Sequence, residues 1–214
     1  MVIAVVTEVS TKEKNKLVVE ALTGFGHEII NVGMKCDEGE PELTYIQTGL
    51  ISALLLNAGC VDMVVGGCGT GQGYLNSALQ YPNICCGLIQ SSLDAWLFAQ
   101  INGGNCISLA LNKGFGWAGD VEIKFIFERL FSVKAGQGYP TNRQQSQQRS
   151  QATLAELSRF THVDMSQIVR SMPEEVISPA ISFPGIMDIL RQRAAKDNAI
   201  LAACEDRLSS LCKK

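Results

Sequence analysis

The sequence predicts an α/β fold built on a parallel sheet, and three observations carry that prediction. Five short, apolar runs that read as strands alternate with helical stretches along the first 131 residues. Those runs show no in–out alternation of apolar and polar residues, the pattern of strands buried on both faces. The third run opens into Val64-Val65-Gly66-Gly67-Cys68-Gly69-Thr70-Gly71-Gln72-Gly73, five glycines threaded by a thiol and a hydroxyl and followed by a helix. In open parallel sheets, ligands bind at such a place, outside the carboxyl ends of the strands.

In chain order, Val2–Val6 is the first strand. A helix is expected over 11–22, with Leu17, Val18, Ala21 and Leu22 on one side, and Gly24 and Gly26 stop it. Residues 27–32 form a second strand, 44–57 a helix, 62–65 the third strand and 74–80 a helix. The pattern closes with a strand at 85–89, a helix at 92–101, a strand at 106–110 and an amphipathic helix at 120–131 opened by Gly114-Phe115-Gly116. From Lys134 the character changes. Residues 136–140 read as a break and 144–151 as a polar, Gln-rich stretch, with helices expected at 151–160, 166–170 and 187–211 between Pro173, Pro179 and Pro184. The division is therefore a sheet domain over 1–135 and a helical extension over 136–214. That extension has too little apolar surface to stand alone, and it is expected to pack on the sheet domain or on a partner subunit.

Composition narrows the function. With 214 residues, a formal charge of −3 and no long basic run, the chain has no electrostatic footprint for nucleic acid. It has no apolar run long enough to span a bilayer, and its first residues lack a positively charged leader, so a cytoplasmic protein is expected. The eight cysteines, Cys36, Cys60, Cys68, Cys85, Cys86, Cys106, Cys204 and Cys212, form no CxxC pair, and reduced, mostly buried thiols are expected, with no metal site and no cofactor.

The glycine run fits none of the common phosphate or nucleophile motifs. It follows the third strand rather than the first, its spacing is GxGxGxG rather than GxGxxG, no Lys follows it, and there is no GxSxG elbow. So many glycines exceed what a tight turn needs, and they let backbone amides approach a ligand. A thiolate is favoured where a helix begins, so Cys68 is the candidate base or nucleophile. The two histidines, His27 and His162, fall at a strand start and in the extension and offer no partner to that thiol.

Gly67-Cys68-Gly69-Thr70-Gly71 resembles the CGTG loop of the ribose-5-phosphate isomerase B and galactose-6-phosphate isomerase family. Asn102-Gly103-Gly104-Asn105-Cys106 is similar to that family's His-Asn-x-x-Asn-Val segment, and Gly33 and Gly114 fit the same frame. The resemblance covers roughly residues 1–145. It implies a Rossmann-like three-layer α/β/α sandwich with a five-stranded parallel sheet, a homodimer or tetramer with sites between subunits, and metal-free aldose–ketose interconversion through an enediolate. The departures are specific. The family's Asp-His after the first strand falls on Glu8-Val9, and its ring-opening His falls on Ile101. Its Gly-Gly-Arg-His-x-x-Arg tail reads Gln137-Gly138-Tyr139-Pro140-Thr141-Asn142-Arg143, so only the last Arg survives.

A cyclic sugar phosphate needs acid–base help to open and paired cations to hold it, whereas an open-chain uronate needs neither. The chain is similar to a long-tailed branch of the family that isomerises 4-deoxy-5-keto-uronates, and that substrate class is the expectation. Cys68 is then the base. Thr70 and the amides of the loop glycines Gly67, Gly69, Gly71 and Gly73 hold the oxyanion, and Glu8 shuttles a proton or serves as a carboxylate at the first helix's start. Asn102 and Asn105 bind hydroxyls or simply form turns, and Arg143 and Tyr139 face the substrate of a neighbouring subunit. Three other readings stand beside this one: an ordinary sugar-phosphate isomerase, a non-catalytic sugar-binding relative, and a transferase using Cys68 as nucleophile.

Overall fold

Five strands pair in parallel: β1 (Val2–Val6), β2 (Glu28–Asn31), β3 (Met63–Cys68), β4 (Cys86–Ile89) and β5 (Cys106–Ala110), in the order β2-β1-β3-β5-β4. They belong to a computed structural model that describes residues 1–211, so Cys212 lies outside the described residues. Alternate side chains leave the sheet on opposite faces, as strand geometry requires. Ile3, Val5, Met63, Val65, Ile107 and Leu109 pack beneath α1 (Asn15–Leu22), α4 (Ser92–Leu97) and α5 (Gly119–Phe131). Ala4, Val6, Val64 and Cys106 pack against α2 (Tyr45–Asn57) and α3 (Gln72–Ala78).

The third strand runs further than the apolar pattern indicated. Gly66, Gly67 and Cys68 belong to β3 and pair with Val6 on one side and with Ser108, Leu109 and Ala110 on the other. The absence of side chains is what lets them pair there. A Cβ on Gly66 would lie 2.1 Å from Cζ of the fully buried Tyr74, and one on Gly67 would lie 2.4 Å from the Leu109 carbonyl oxygen. The glycines were legible as a backbone needing close approach; that they belong to a strand was hidden by their poor strand propensity.

Helix α2 explains the extension. It is capped by Thr44 in a capping box with Gln47 and is buried without interruption from Thr48 to Leu55. A helix apolar all round must be covered on both sides. The sheet covers one side, and the other meets α8 (Glu174–Ile181) through Ile177, Ala180 and Ile181. Around α8 lie α7 (Met165–Ser171), α9 (Ile186–Arg193) and α10 (Ala199–Leu211). Pro179, read in the sequence as punctuation, sits inside α8, where burial against α2 outweighs the one backbone bond it removes. The helix expected over 187–211 is broken in two because Asn198 caps α10, its Oδ1 accepting from the Ile200 and Leu201 amides at 3.0 and 3.2 Å. None of the described helices is long and apolar enough to cross a membrane.

The Gln-rich stretch is the first half of an 18-residue helix, α6 (Gln144–Thr161), which has no buried residue. Its glutamines act as a backbone ladder for the segment before it. Gln147 accepts from the Tyr139 amide at 2.8 Å and donates to the Tyr139 carbonyl at 2.7 Å. Gln148 donates to the Gln137 carbonyl, and Gln151 to the carbonyls of Ile101 and Gly136.

Gly67→Ala should cost about 1–3 kcal/mol, because the atom it meets is backbone and cannot rotate away. A thermal melt checks this: at this chain length the loss is about 2–12 °C, and an unchanged midpoint would show that β3 and β5 have room to part.

Candidate active site

The strand order reverses at β1 and β3, the position where the chain leaves for opposite sides of the sheet and a crevice forms at the carboxyl ends. Glu8 stands just past the end of β1 and Cys68 at the end of β3, so the reversal brings together two of the residues read as reactive. Cys68 is 6% exposed, at the carboxyl end of β3. Its carbonyl accepts from the Gly71 amide at 3.2 Å and the Leu111 amide at 3.1 Å, closing the turn that starts α3.

That turn is pinned from three directions. Gly71 caps α3 at φ +74°, and a Cβ there would meet the Leu88 side chain at 2.6 Å and the Ala110 amide at 3.2 Å, so both conformation and space demand glycine. From below, the buried Ser108 hydroxyl donates to the Gly71 carbonyl. From the end of β5, the amides of Asn112 and Lys113 donate to the Gly69 carbonyl at 3.0 and 2.8 Å. Among the described residues the amides of Gly69, Thr70 and Gly73 have no partner within the chain, and the exposed Thr70 hydroxyl accepts from the Gln72 amide at 3.4 Å. The loop thus presents amide donors held in place by backbone bonds.

Four residues at this end were not singled out in the sequence. Ser108 looked like one small residue in an apolar strand, and Asn112 like a loop residue. Tyr45, 43% exposed at the start of α2, lies over Gly73, where a Cβ would sit 3.0 Å from its ring. Ser10 is exposed, its hydroxyl donates to Glu8 Oε1, and its amide donates to Glu8 Oε2 at 3.1 Å. The Thr11 hydroxyl adds a bond at 3.4 Å to Glu8 Oε1, and the Glu8 side chain, in a residue 3% exposed, is turned into its own loop. It does not cap α1, whose N-cap residue, Lys14, makes no side-chain bond.

The other sequence candidates lie at the opposite end of the sheet. Asn105 directly precedes Cys106, which pairs with Val64, whereas Cys68 pairs with Ala110. Five residues of strand separate those ends, about 16 Å. Both ends of the Asn105 amide are engaged: Nδ2 donates to the Asn83 carbonyl at 2.8 Å and Oδ1 accepts from the Cys85 amide at 2.9 Å. Asn102 is exposed at the end of a π-helical turn, Phe98–Asn102. The 136–143 segment is docked on that turn through the Gly136 and Gly138 amides, which donate to the Ala99 and Gln100 carbonyls. The Tyr139 ring meets Trp96 edge-on at 4.9 Å, and Arg143 is exposed at the end of a 3-10 turn, Thr141–Arg143. Between this region and α6 lies an open groove of about 740 Å³ lined by Cys85, Cys86, Asn102 and Asn105 among others.

Neither histidine approaches Cys68: His27 meets Phe131 edge-on at 4.6 Å, and His162 bonds to Thr161 and to the Ser158 carbonyl. The described cysteines are all free thiols. Cys86 is held protonated by its hydrogen bond to Cys106 and by burial, while burial raises Cys85, Cys60 and, to about 12, Cys204. These four thiols are therefore poor bases at neutral pH.

The model of the ribose/galactose isomerase family matches residues 3–137. The chain belongs to that family. Along its full length it is similar to a solved 4-deoxy-L-threo-5-hexosulose-uronate ketol-isomerase complexed with a tartrate, at 33% identity and TM-score 0.91, with 100% of each chain covered. It is equally similar to a ribose-5-phosphate isomerase from Vibrio parahaemolyticus, at 38% identity and TM-score 0.89, with 99% of each chain covered. A ribose 5-phosphate isomerase from Thermotoga maritima, 21% identical with TM-score 0.59, shares the fold over 72% of this chain and 97% of its own. No curated protein matches the sequence. The extension thus has full-length counterparts, and the chain is a sugar isomerase with the Rossmann-like sandwich that the resemblance implied.

In this isomerase the Ser108 hydroxyl is the one side-chain bond to the Gly71 carbonyl, which also accepts from the Leu75 amide at 3.1 Å. Ser108→Ala should cost about 1 kcal/mol in denaturant unfolding and lower kcat more than it raises KM. A variant matching the wild type in both would show that the loop is set without Ser108.

Proposed function

We propose that this isomerase interconverts the aldose and ketose forms of an open-chain uronate, through an enediolate, in a site completed by a second copy of the chain. The observation that carries the substrate class is what surrounds the reactive loop: a thiol, hydroxyls and amides, with both histidines elsewhere in the molecule. Ring opening calls for a positioned acid–base pair and a phosphate for paired cations. Arg143 stands alone where the family pattern has two arginines, the other position being Tyr139. Full-length similarity to a uronate ketol-isomerase points the same way.

Cys68 takes the proton from the carbon next to the carbonyl, and the amides of Gly69, Thr70 and Gly73 with the Thr70 hydroxyl hold the developing oxyanion. Gly67 and Gly71 give the loop its path. Asn102, Tyr139 and Arg143 of the partner bind the far end of the substrate, and Asn105 holds the turn beside Asn102. The roughly 16 Å along β5 between the two sets of residues supports a shared site, since one chain cannot bring both to one small sugar. We assign 1–135 to the isomerase domain and 136–214 to the extension, with the bare face of α6 turned to the partner, and we place the enzyme, with its free thiols, in the cytoplasm.

The Vibrio relative favours a second reading, ribose 5-phosphate as substrate. Comparing kcat/KM for a 4-deoxy-5-keto-uronate and for ribose 5-phosphate separates the two, with the uronate expected to lead by more than about 100-fold. A lead for ribose 5-phosphate would overturn the uronate assignment.

Cys68→Ser should nearly abolish turnover and leave KM largely unchanged, since a hydroxyl is a far weaker base at neutral pH. Retention of more than about a tenth of kcat, a loss of only ~1.4 kcal/mol, would remove Cys68 from the mechanism.

Arg143→Ala should raise KM by removing a charge-assisted bond to the substrate anion. Co-expressed Cys68→Ser and Arg143→Ala protomers should recover one intact site per heterodimer. A purified heterodimer no more active than its parents would rule the shared site out.

A further inference from the structure

Glu8 is 3% exposed, so its carboxylate does not reach into the crevice, yet all three donors to it come from the next three residues and one of them is exposed. That one is Ser10. Its hydroxyl donates to Glu8 Oε1, and a Cβ placed on Gly69, the residue after Cys68, would lie 3.5 Å from the same Oγ. The Ser10 carbonyl in turn accepts from Asn112 Nδ2 at 2.9 Å, and the Asn112 backbone amide donates to the Gly69 carbonyl at 3.0 Å, so the Ser10 loop and the Cys68 loop are fixed to one residue. Ser10 Oγ therefore stands between a buried carboxylate and the residue that follows Cys68, with its proton committed to Glu8 and its lone pairs free to accept.

We infer that Ser10 is a catalytic residue of this isomerase, the group that carries the hydroxyl proton of the substrate to and from Glu8. The inference rests on the isomerase reading and completes it, because moving a carbon-bound proton is half of the reaction. Cys68 thiolate takes hydrogen from C2, and the C1 carbonyl becomes an oxyanion. The C2 hydroxyl gives its proton to Ser10 Oγ as Ser10 gives its own to Glu8, leaving an enediolate and a neutral carboxyl. The carboxyl then returns that proton through Ser10 to O1, and the Cys68 thiol protonates C1. The C2–H and O2–H bonds break, the C1–H and O1–H bonds form, and thiolate and carboxylate are regenerated with no oxidant or co-reactant. Among the described residues, the hydrogen bonds of the Glu8 carboxylate come from Ser10 and Thr11, and Glu8 acts as a positioning residue.

The test compares Ser10→Ala, Ser10→Thr and Glu8→Gln in the full-length protein, in water and in deuterium oxide, on whichever of the keto-uronate and ribose 5-phosphate the wild type turns over faster. Ser10→Ala keeps the backbone bond to Glu8 and should keep its melting temperature, while kcat falls by about 100-fold and KM stays within about threefold. Deuterium exchange into the recovered starting sugar, which needs Cys68 alone, should fall far less than isomerisation. Ser10→Thr should restore most of the rate. Glu8→Gln should lose a comparable factor, and the double variant no more than the worse single, as for two parts of one relay. Retention of more than about a tenth of kcat by Ser10→Ala, equal loss of exchange and isomerisation, or single losses that multiply would each overturn the relay. If Glu8→Gln does not fold, the Ser10 pair and the exchange ratio still decide. A wild type active on ribose 5-phosphate alone overturns the uronate assignment and leaves the Ser10 comparison intact; one inert on both overturns the two together.

Discussion

The fit of β3 against its neighbours is the constraint from which the site follows. Strand pairing at Gly66 and Gly67 brings the backbone onto the Tyr74 ring on one face and the Leu109 backbone on the other, with no room for a Cβ at either position. Tyr74 is in the first turn of α3, so the same contact that seats β3 fixes where that helix begins. Its hydroxyl is satisfied inside the core by Ser52 at 2.6 Å and the Cys106 thiol at 3.4 Å, and burial holds it protonated well above the ordinary phenol range. Strand and helix are thereby locked less than one turn apart in sequence. The four residues between Gly67 and α3 have one path, and Cys68 through Gly71 take it.

Precision at that path matters to the proposed chemistry, because proton transfer between carbon and sulfur tolerates little misplacement. The bonds that set it are mostly backbone bonds, supplemented by Ser108 from inside the sheet and Asn112 from the end of β5. Both come from β5 or its end, the strand paired with β3, so the loop is held only where those two strands are paired. Among the described residues, the loop amides without intrachain partners are those of Gly69, Thr70 and Gly73, which leaves them free to donate to a ligand.

Much of this was legible in the chain, and the parts that were not share a cause. The strands announced themselves as apolar runs, and Cys68 as a thiol among glycines. The all-round apolar 48–55 stretch of α2 carried the information that a further layer must cover it. Local pattern failed wherever a residue's role is set by a distant partner. Pro179 looks like a break until α2 is beside it, and the glutamines of 144–151 look like a linker until the carbonyls of Gly136, Gln137 and Tyr139 accept from them. Glu8 read as a reactive carboxylate, and here the missed partners were local: Ser10 and Thr11, two and three residues on, fold over it. Asn102 and Asn105 were read alongside Cys68 because sequence motifs carry no direction. The parallel sheet supplies it: residues that precede a strand and residues that follow one are at opposite ends.

That separation divides the proposed chemistry between the two ends of the sheet. Proton handling belongs to the carboxyl end, where Cys68, Glu8 and Ser10 are fixed by the packing of β1 and β3. Recognition of the substrate's far end belongs to the amino end, on a segment whose backbone is tied to the glutamines of α6 rather than to the sheet core. Under that proposal, Tyr139 in place of an Arg and Ile101 in place of the ring-opening His change which substrate is accepted without touching Cys68, Glu8 or Ser10. The chain's departures from the family pattern fall on both sides of this line. In the proposed reading, those at 101 and 139 alter the substrate, and those at 8 and 9 fall where the proposed relay puts Ser10, a hydroxyl backed by a carboxylate, in place of a lost acid–base group. A weaker donor suffices there if the substrate arrives already open, so the two sets of changes are chemically consistent with one another.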